Sequence, residues 1–230
     1  MKKHLVVLSG AGISAESGLK TFRDSDGLWE HHKIEEVATP EAWRKNPALV
    51  NQFYNQRRMQ LSEARPNRAH ELLADLESKF KVSIITQNVD DLHERAGSTI
   101  VMHLHGELIK VRSEIDSSHM ETIGYRTLGL DEKCPQGHRL RPHIVWFGEE
   151  VPMMSAAMHV TRSADLLLVI GTSLNVYPAA GLIHEAAPHC PIFLVDPDPV
   201  MKRMESGRLK VINEKATIGM PMVAEILDSY

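Results

Sequence analysis

The chain has 230 residues, with 26 basic and 30 acidic side chains and a formal net charge of −4 at pH 7. This length can bury a hydrophobic core without covalent cross-links, and a nearly balanced charge without a basic tract argues against a nucleic-acid partner. The two cysteines, Cys134 and Cys190, are too few for a disulfide framework, which predicts a cytoplasmic protein.

Short apolar runs rich in β-branched residues alternate with helical stretches. The predicted strands are residues 5–8, 82–85, 101–104, 166–170 and 192–195, and the clearest helices are residues 67–79 and 153–162. This alternation is typical of a parallel α/β sheet, so we expect a Rossmann-like fold whose strand ends converge on one ligand site. The uncharged run 166–183 contains Gly171 and Pro178, which predicts strand, loop and helix rather than a membrane span.

The first predicted strand runs directly into a glycine-rich turn. Gly10-Ala11-Gly12-Ile13-Ser14-Ala15 matches the pattern Gly-x-Gly-x-x-Gly/Ala in its expected setting between a strand and a helix. Backbone N–H groups in such a turn can hold a pyrophosphate. The alternative is a tight strand-to-helix turn that binds nothing.

Two stretches interrupt the alternation of strands and helices. Residues 39–61 are mostly helical in composition, with Thr39-Pro40-Glu41 as a cap and first turn, and residues 113–142 are polar and irregular. We expect one unit over residues 1–230. Its large domain would comprise approximately residues 1–36, 64–109 and 143–230, and its smaller lobe approximately residues 37–63 and 110–142.

Polar side chains follow the second and third predicted strands. Gln87 and Asn88 can position a sugar hydroxyl or a water, while Asp90 or Asp91 could simply cap the helix that begins at residue 92. His105 lies at a strand end, where a general base of near-neutral pKa would be useful. His103, two residues earlier on the same face, is more simply explained as a structural histidine.

Six short motifs follow one another along nearly the whole chain. They are Gly10-Ala11-Gly12-Ile13-Ser14, Phe22-Arg23, Thr86-Gln87-Asn88-Val89-Asp90, His105-Gly106-Glu107-Leu108, Val145-Trp146-Phe147-Gly148-Glu149 and Gly171-Thr172-Ser173-Leu174. Their identity and order closely resemble the motifs of the sirtuins, the NAD-dependent protein lysine deacylases. The resemblance implies a Rossmann-like domain with a smaller inserted lobe, and an enzyme that consumes NAD rather than using it for hydride transfer.

The resemblance also implies a reaction and a set of site residues. In that family the acyl-lysine carbonyl oxygen attacks the anomeric carbon of NAD as nicotinamide leaves, and a histidine then acts as general base on a ribose hydroxyl. The products are free lysine, nicotinamide and 2′-O-acyl-ADP-ribose. The catalytic residues here would be His105, Asn88 and Asp90. The NAD-binding residues would be Gly10, Ala11, Gly12, Ile13, Ser14, Phe22, Arg23, Gln87, Asn88, Asp90, Gly171, Thr172, Ser173, Asn175, Asp196 and Ala216.

The acylated peptide would bind as an added strand between residues 145–149 and 173–176, a mode with little sequence selectivity. The implied substrate-binding residues are Ala38, Tyr54, Arg57, Val145, Trp146, Phe147, Gly148, Glu149 and Val176. Ala38, Tyr54 and Arg57 match the acyl-pocket residues of the sirtuins that prefer succinyl or malonyl lysine, which implies these substrates and weaker deacetylation. The alternative is that Arg57 and Arg58 form a solvated helix face.

Two departures from the family pattern concern cofactors. Asp196 stands where the family commonly has asparagine at the adenosine ribose, and its carboxylate can still accept from ribose hydroxyls. The family's pair of Cys-x-x-Cys zinc motifs should fall within residues 110–142, but only Cys134 is present there, with His119 and His138 nearby. This set falls short of four zinc ligands, so the sequence predicts no structural zinc.

Two other functions use the same residues. A protein ADP-ribosyltransferase or an NAD glycohydrolase would keep the glycine turn and His105 but transfer ADP-ribose to another nucleophile. A non-enzymatic NAD-binding module would leave His105 and Asn88 without a task.

Overall fold

The computed structural model describes residues 2–19, 28, 29, 32–199 and 207–230, with only the backbone at residues 28 and 29. It contains eleven strands in this part of the chain. They are β1 (His4–Ser9), β2 (Leu28–Trp29), β3 (His32–Lys33), β4 (Lys81–Thr86), β5 (Val101–His103), β6 (Gly106–Ser113), β7 (Met120–Thr122), β8 (Leu140–Ile144), β9 (Leu166–Ile170), β10 (Ile192–Val195) and β11 (Leu209–Ile212).

Eight α-helices and two 3₁₀ segments connect the described strands. The helices are α1 (Gly12–Ala15), α2 (Ile34–Val37), α3 (Pro40–Lys45), α4 (Pro47–Glu63), α5 (Arg68–Asp75), α6 (Leu92–Arg95), α7 (Met154–Arg162) and α8 (Ala216–Leu227), and the 3₁₀ segments are Leu76–Ser78 and Ala179–Glu185. Among the described residues, no helix is both long and apolar enough to cross a membrane.

Six parallel strands form the main sheet in the order β11-β10-β9-β1-β4-β5. All six residues of the central strand β1 are buried, and its four apolar residues alternate between two hydrophobic clusters. Leu5 and Val7 pack with α5 and α8 on one face, and Val6 and Leu8 pack with α7 and the second 3₁₀ segment on the other. Helices on both faces of a parallel sheet confirm the predicted Rossmann-like class.

The five predicted strands of this sheet are confirmed to within one residue at each end. The sixth strand, β11, was not predicted, and its sequence explains the omission. It is four residues long, contains Lys210 and lies at the sheet edge with three residues partly or fully exposed. Its apolar run is therefore too short and too polar to be recognised by hydrophobicity.

A smaller antiparallel sheet, in the order β7-β6-β8, lies beside helices α2 to α4. As predicted, Thr39 caps α3, because its side chain accepts a hydrogen bond of 3.1 Å from the Ala42 N–H. Asn46 separates α3 from α4 within this mostly helical stretch, since its side chain caps α4 at Leu49 N. The prediction that residues 113–142 are irregular was partly wrong, because β7 and parts of β6 and β8 lie there. The lobe boundaries given above remain a proposal.

Candidate active site

Five loops that carry the predicted site residues begin at the carboxyl ends of β1, β4, β5, β9 and β10. Because these strands are neighbours in one parallel sheet, their loops lie along one edge, as predicted. Gly10, Gln87, His105, Gly171 and Asp196 each lie within two residues of a strand end. The predicted residues Phe22 and Arg23 lie outside the described part of the chain.

The glycine turn after β1 packs directly against the loop after β9. Gly10 N–H donates to Ile170 O over 3.1 Å, and Gly12 N–H donates to Gly171 O over 2.8 Å. A Cβ on Gly12 would lie 2.8 Å from Gly171 Cα, which is closer than real Cβ contacts come, and Gly171 itself has a φ of +66°. Glycine at these positions is therefore required for the two loops to touch.

The remaining predicted NAD-binding residues lie around this contact. Thr172 accepts hydrogen bonds from the Gln87 side chain over 3.3 Å and from Leu174 N–H over 3.1 Å. Asp196 is buried at the end of β10, where its carboxylate accepts from Asp198 N–H over 2.9 Å. The other members of the predicted set are Ala11, Ile13 and Ala216 near the first turns of α1 and α8, half-buried Ser173 and exposed Asn175.

A buried polar network joins the glycine turn to the loop after β4. Ser14 Oγ donates to Asp90 Oδ2 over 3.0 Å and accepts from Asn88 Nδ2 over 3.2 Å. Burial raises the pKa of Asp90, against the opposing effect of its hydrogen bonds to Leu92 N–H and Ser14. Asp90 Oδ1 also accepts from Leu92 N–H over 3.2 Å, at the first residue of α6, although the residue at the N-cap position is Asp91. Capping and site formation were posed as alternatives for this side chain, which contacts both the first residue of α6 and Ser14 of the glycine turn.

His105 is half-buried beside this network. Its Nδ1 lies 3.0 Å from Gln87 O and donates to that carbonyl, which leaves Nε2 as the nitrogen that can accept a proton. Burial lowers the pKa of His105, although the Gln87 carbonyl has the opposite effect. The imidazole is therefore neutral near pH 7, the state that a general base requires.

Amides, hydroxyls and carboxylates thus surround a glycine turn at one sheet edge. This donor and acceptor set fits a dinucleotide, because carboxylates and amides can bond ribose hydroxyls and a glycine turn lets a diphosphate approach the backbone.

Of the three predicted acyl-pocket residues, Ala38 and Tyr54 belong to a hydrophobic cluster between α4 and the small sheet, and Arg57 lies beside Phe53 of that cluster. Ala38, Tyr54 and Arg57 are all buried, and the Arg57 guanidinium lies 5.9 Å from the centre of the Phe53 ring. Trp146 donates its indole N–H to the Tyr54 hydroxyl over 3.0 Å. Burial raises the pKa of Tyr54, so the hydroxyl stays protonated and retains its own proton to donate.

The alternative of a solvated Arg57–Arg58 face is wrong, because both side chains are buried. Arg58 donates to Leu108 O and to Asn55 Oδ1, each over 2.6 Å. Burial lowers the pKa of Arg58 to about 10, so the side chain remains a cation at neutral pH. Arg58 thus joins α4 to the small sheet, a structural role that the sequence did not indicate.

The segment predicted to pair with a peptide, residues 145–149, forms a turn rather than a strand. Four of its N–H groups donate to acceptors within the chain. Val145 N–H donates to His105 O and Trp146 N–H to Glu149 Oε2. Phe147 N–H donates to Ala38 O and Glu149 N–H to Trp146 O. A peptide strand along this segment would therefore use its carbonyl oxygens and the Gly148 N–H. Phe147 and Val176 are exposed on the two segments that would flank such a peptide.

Glu149 holds this turn in place through two arginines that the sequence did not single out. Its carboxylate lies 2.7 Å from Arg141 Nη1 and 3.3 Å from Arg112 Nη2. Burial alone would raise the pKa of Glu149, but the hydrogen bonds to Arg141 and Trp146 N–H hold it below its ordinary value. Arg141 also lies over the Trp146 ring, 3.3 Å from its centre.

The segment where zinc motifs were expected has an apolar centre. Cys134 is buried with Val111, Leu128 and Leu140, and Arg126 and Glu132 form a paired salt bridge nearby. Among the described residues, no group of three or more His, Cys, Asp or Glu side chains could hold a metal ion, and His119 and His138 do not form one with Cys134.

We therefore expect the purified protein to contain well below one zinc per chain, because the lobe packs around apolar side chains. Elemental analysis checks this, and a chelator should leave the melting temperature unchanged. One zinc per chain that resists dialysis would contradict the expectation.

Comparison with known proteins agrees with this geometry. The family model described as "Sir2 family" matches residues 10–178. An "NAD-dependent protein deacylase" of Aggregatibacter actinomycetemcomitans is 56% identical over 200 residues, covering 86% of this chain and 95% of the relative.

Two solved structures extend the similarity to the whole fold. One described as a Sir2 homolog–NAD complex is 38% identical with a TM-score of 0.86, covering 99% of this chain and 90% of that one. A Sir2 protein with a deacetylated p53 peptide and 3′-O-acetyl ADP ribose is 29% identical with a TM-score of 0.80, covering 98% of this chain and 94% of that one. Because the family match includes the glycine turn, the polar loop after β4 and His105, this chain belongs to the Sir2 family, the sirtuins.

Proposed function

We propose that this sirtuin, an NAD-dependent protein deacylase, removes succinyl and malonyl groups from lysine side chains and removes acetyl groups more weakly. The observation that carries the acyl preference is that Tyr54 and Arg57 are both buried, with the Tyr54 hydroxyl bonded to Trp146 and the Arg57 guanidinium beside the Phe53 ring. They are three residues apart on α4 and hence on one helix face. A guanidinium and a tyrosine hydroxyl can bind one carboxylate together, whereas an acetyl group has no charge for them to hold.

The proposed reaction consumes one NAD and one water for each acyl-lysine and yields nicotinamide, free lysine and O-acyl-ADP-ribose. His105 accepts a proton at Nε2 from a ribose hydroxyl, while the Gln87 carbonyl keeps the imidazole in the required tautomer. Asn88, Asp90 and Ser14 bind the nicotinamide and its ribose, and the glycine turn with Gly171, Thr172 and Ser173 binds the phosphates and the second ribose. The acylated peptide binds between residues 145–149 and 173–176.

Arg57→Met should lower kcat/KM for a succinylated peptide by about ten- to a hundredfold, since a hydrogen bond to a charged group contributes about 1.5–3 kcal/mol. Methionine keeps much of the buried volume, and deacetylation should therefore change little. The measurement is the initial rate with succinyl, malonyl and acetyl versions of one peptide. Arg44→Met, at an exposed arginine paired with Glu41, is the matched control and should leave all three rates unchanged.

An equal fall for succinyl and acetyl peptides would show that Arg57 supports the fold rather than binds the acyl group. The acyl preference would then fail, while the deacylase activity could stand.

The reaction products separate this proposal from transfer of ADP-ribose to another nucleophile. Mass spectrometry after incubation with NAD and a succinylated peptide should detect free lysine peptide and O-succinyl-ADP-ribose in equal amounts. An ADP-ribosylated peptide, or ADP-ribose without any deacylation, would instead indicate the transferase or glycohydrolase. A cytoplasmic location and the lack of nucleic-acid and membrane partners remain predictions from composition.

A further inference from the structure

Two histidines near the end of β5 contact successive carbonyls of the polar loop but differ at their second nitrogen. His103 Nδ1 lies 3.0 Å from Asn88 O, and His105 Nδ1 lies 3.0 Å from Gln87 O. Among the described residues, only His103 has a second hydrogen-bond partner, since its Nε2 lies 2.7 Å from Glu94 Oε1 on α6. The imidazole of His103 thus lies between a carbonyl and a carboxylate, both of which only accept hydrogen bonds.

This arrangement selects the protonated ring. A neutral imidazole carries one N–H and can satisfy only one of the two acceptors, whereas the imidazolium carries two. Burial lowers the pKa of His103, but Glu94, Asn88 O and the charge of Glu107 on β6 outweigh it and raise the pKa above its ordinary value.

Three other titratable groups interact with His103 or with its partner Glu94. Asp90, on the loop after β4, is favoured in its ionised form by the His103 charge. His93, on α6 beside Glu94, has a pKa lowered well below its ordinary value by burial, so it stays neutral and adds no like charge. Lys110 on β6 helps to keep Glu94 ionised.

We propose that His103 is a positioning residue for NAD binding. As an imidazolium it donates to the Asn88 carbonyl and holds that peptide in place. When it is deprotonated, it gives its remaining N–H to Glu94 and releases the Asn88 carbonyl. The inference rests on the proposed function, because Asn88 and Asp90 are assigned there to the NAD pocket. A carboxylate is the stronger acceptor, so the neutral ring turns its lone pair toward the carbonyl. The hydrogen bond from His103 to the Asn88 carbonyl is therefore present at pH values below the His103 pKa, and it is lost as the pH rises through that pKa.

The expected signature is an alkaline rise in the KM for NAD, by about two- to tenfold, the effect of losing one hydrogen bond. The kcat at saturating NAD should change much less. The experiment measures kcat and the KM for NAD from pH 6 to pH 9.5 with a saturating acylated peptide, and follows the His103 ring by NMR titration. The NMR midpoint should coincide with the midpoint of the rise in KM.

Glu94→Gln provides the discriminating variant. A glutamine amide can donate to Nε2, so neutral His103 keeps its N–H on Nδ1 and continues to donate to Asn88 O. We therefore expect the KM for NAD to become nearly independent of pH in Glu94→Gln. His103→Gln tests the same point, because an amide can hold Asn88 O without titrating. Glu77→Gln, at a carboxylate that accepts from Thr99 elsewhere on the surface, should keep the wild-type rise.

A wild-type KM for NAD that is constant over this range, or a Glu94→Gln enzyme that retains the wild-type rise, would overturn the positioning role. These outcomes differ from failure of the proposed function, which would appear as a wild-type protein without NAD-dependent deacylation even at pH 6–7.

Discussion

The His105→Ala protein is expected to fold and to bind NAD, yet to turn over about 10²–10⁴ times more slowly than the wild type, the usual contribution of a general base. Within the described part of the chain the imidazole makes one hydrogen bond, to Gln87 O, so its removal affects little of the surrounding structure. Burial lowers the pKa of His105. As the pH is lowered, the wild-type kcat/KM should therefore begin to fall only below pH 6.5, since about 6.5 is the ordinary pKa of histidine.

Three measurements check this result: single-turnover deacylation, NAD affinity by calorimetry, and thermal unfolding. His159→Ala, at an exposed histidine on α7, should behave as the wild type in all three. If the His105→Ala enzyme deacylated at nearly the wild-type rate, another group would have to be the base.

Gly12→Ala is expected to weaken NAD binding about tenfold or more and to destabilise the protein at the same time. The added methyl group would lie 2.8 Å from both Cα and O of Gly171, and these backbone atoms cannot move aside as a side chain can. Overpacking of this kind costs about 1–3 kcal/mol, which corresponds to a melting temperature lower by several degrees for a chain of this size. The separation of the two loops should raise the Kd for NAD.

Gly181→Ala is the matched control, since a Cβ at that position has no atom within 4 Å. Its melting temperature should equal or slightly exceed that of the wild type, because alanine restricts the unfolded chain. If Gly12→Ala changed neither stability nor NAD affinity, the loop contact would be adaptable and the requirement for glycine would be wrong.

Much of the fold could be predicted from the sequence because its central strands are uniformly apolar. β1, β9 and β10 are buried along their whole lengths, and such runs are visible without any knowledge of their partners. β7 and β11 could not be found in this way. All three residues of β7 are exposed, so its strand conformation depends on pairing with β6 rather than on its own hydrophobic pattern.

The candidate site shows a similar division. The glycine turn and His105 are local signals, because each depends on a few consecutive residues at a strand end. The contacts of Glu149 with Arg112 and Arg141, and of His103 with Glu94, depend on distances between separate elements that no local pattern encodes. His103 was interpreted as structural for this reason, since its second acceptor becomes visible only in three dimensions.

The position of Trp146 limits how the acyl specificity of this protein can be changed. Its indole N–H needs the Tyr54 hydroxyl, its ring supports Arg141, and its backbone N–H donates to Glu149. An engineer who replaced Tyr54 with a smaller apolar residue to admit a longer acyl chain would also remove the hydroxyl that accepts from the buried Trp146 indole. The turn at residues 145–149 would then shift with Trp146. Selection for a new acyl group should therefore bring compensating changes at Glu149 or Arg141.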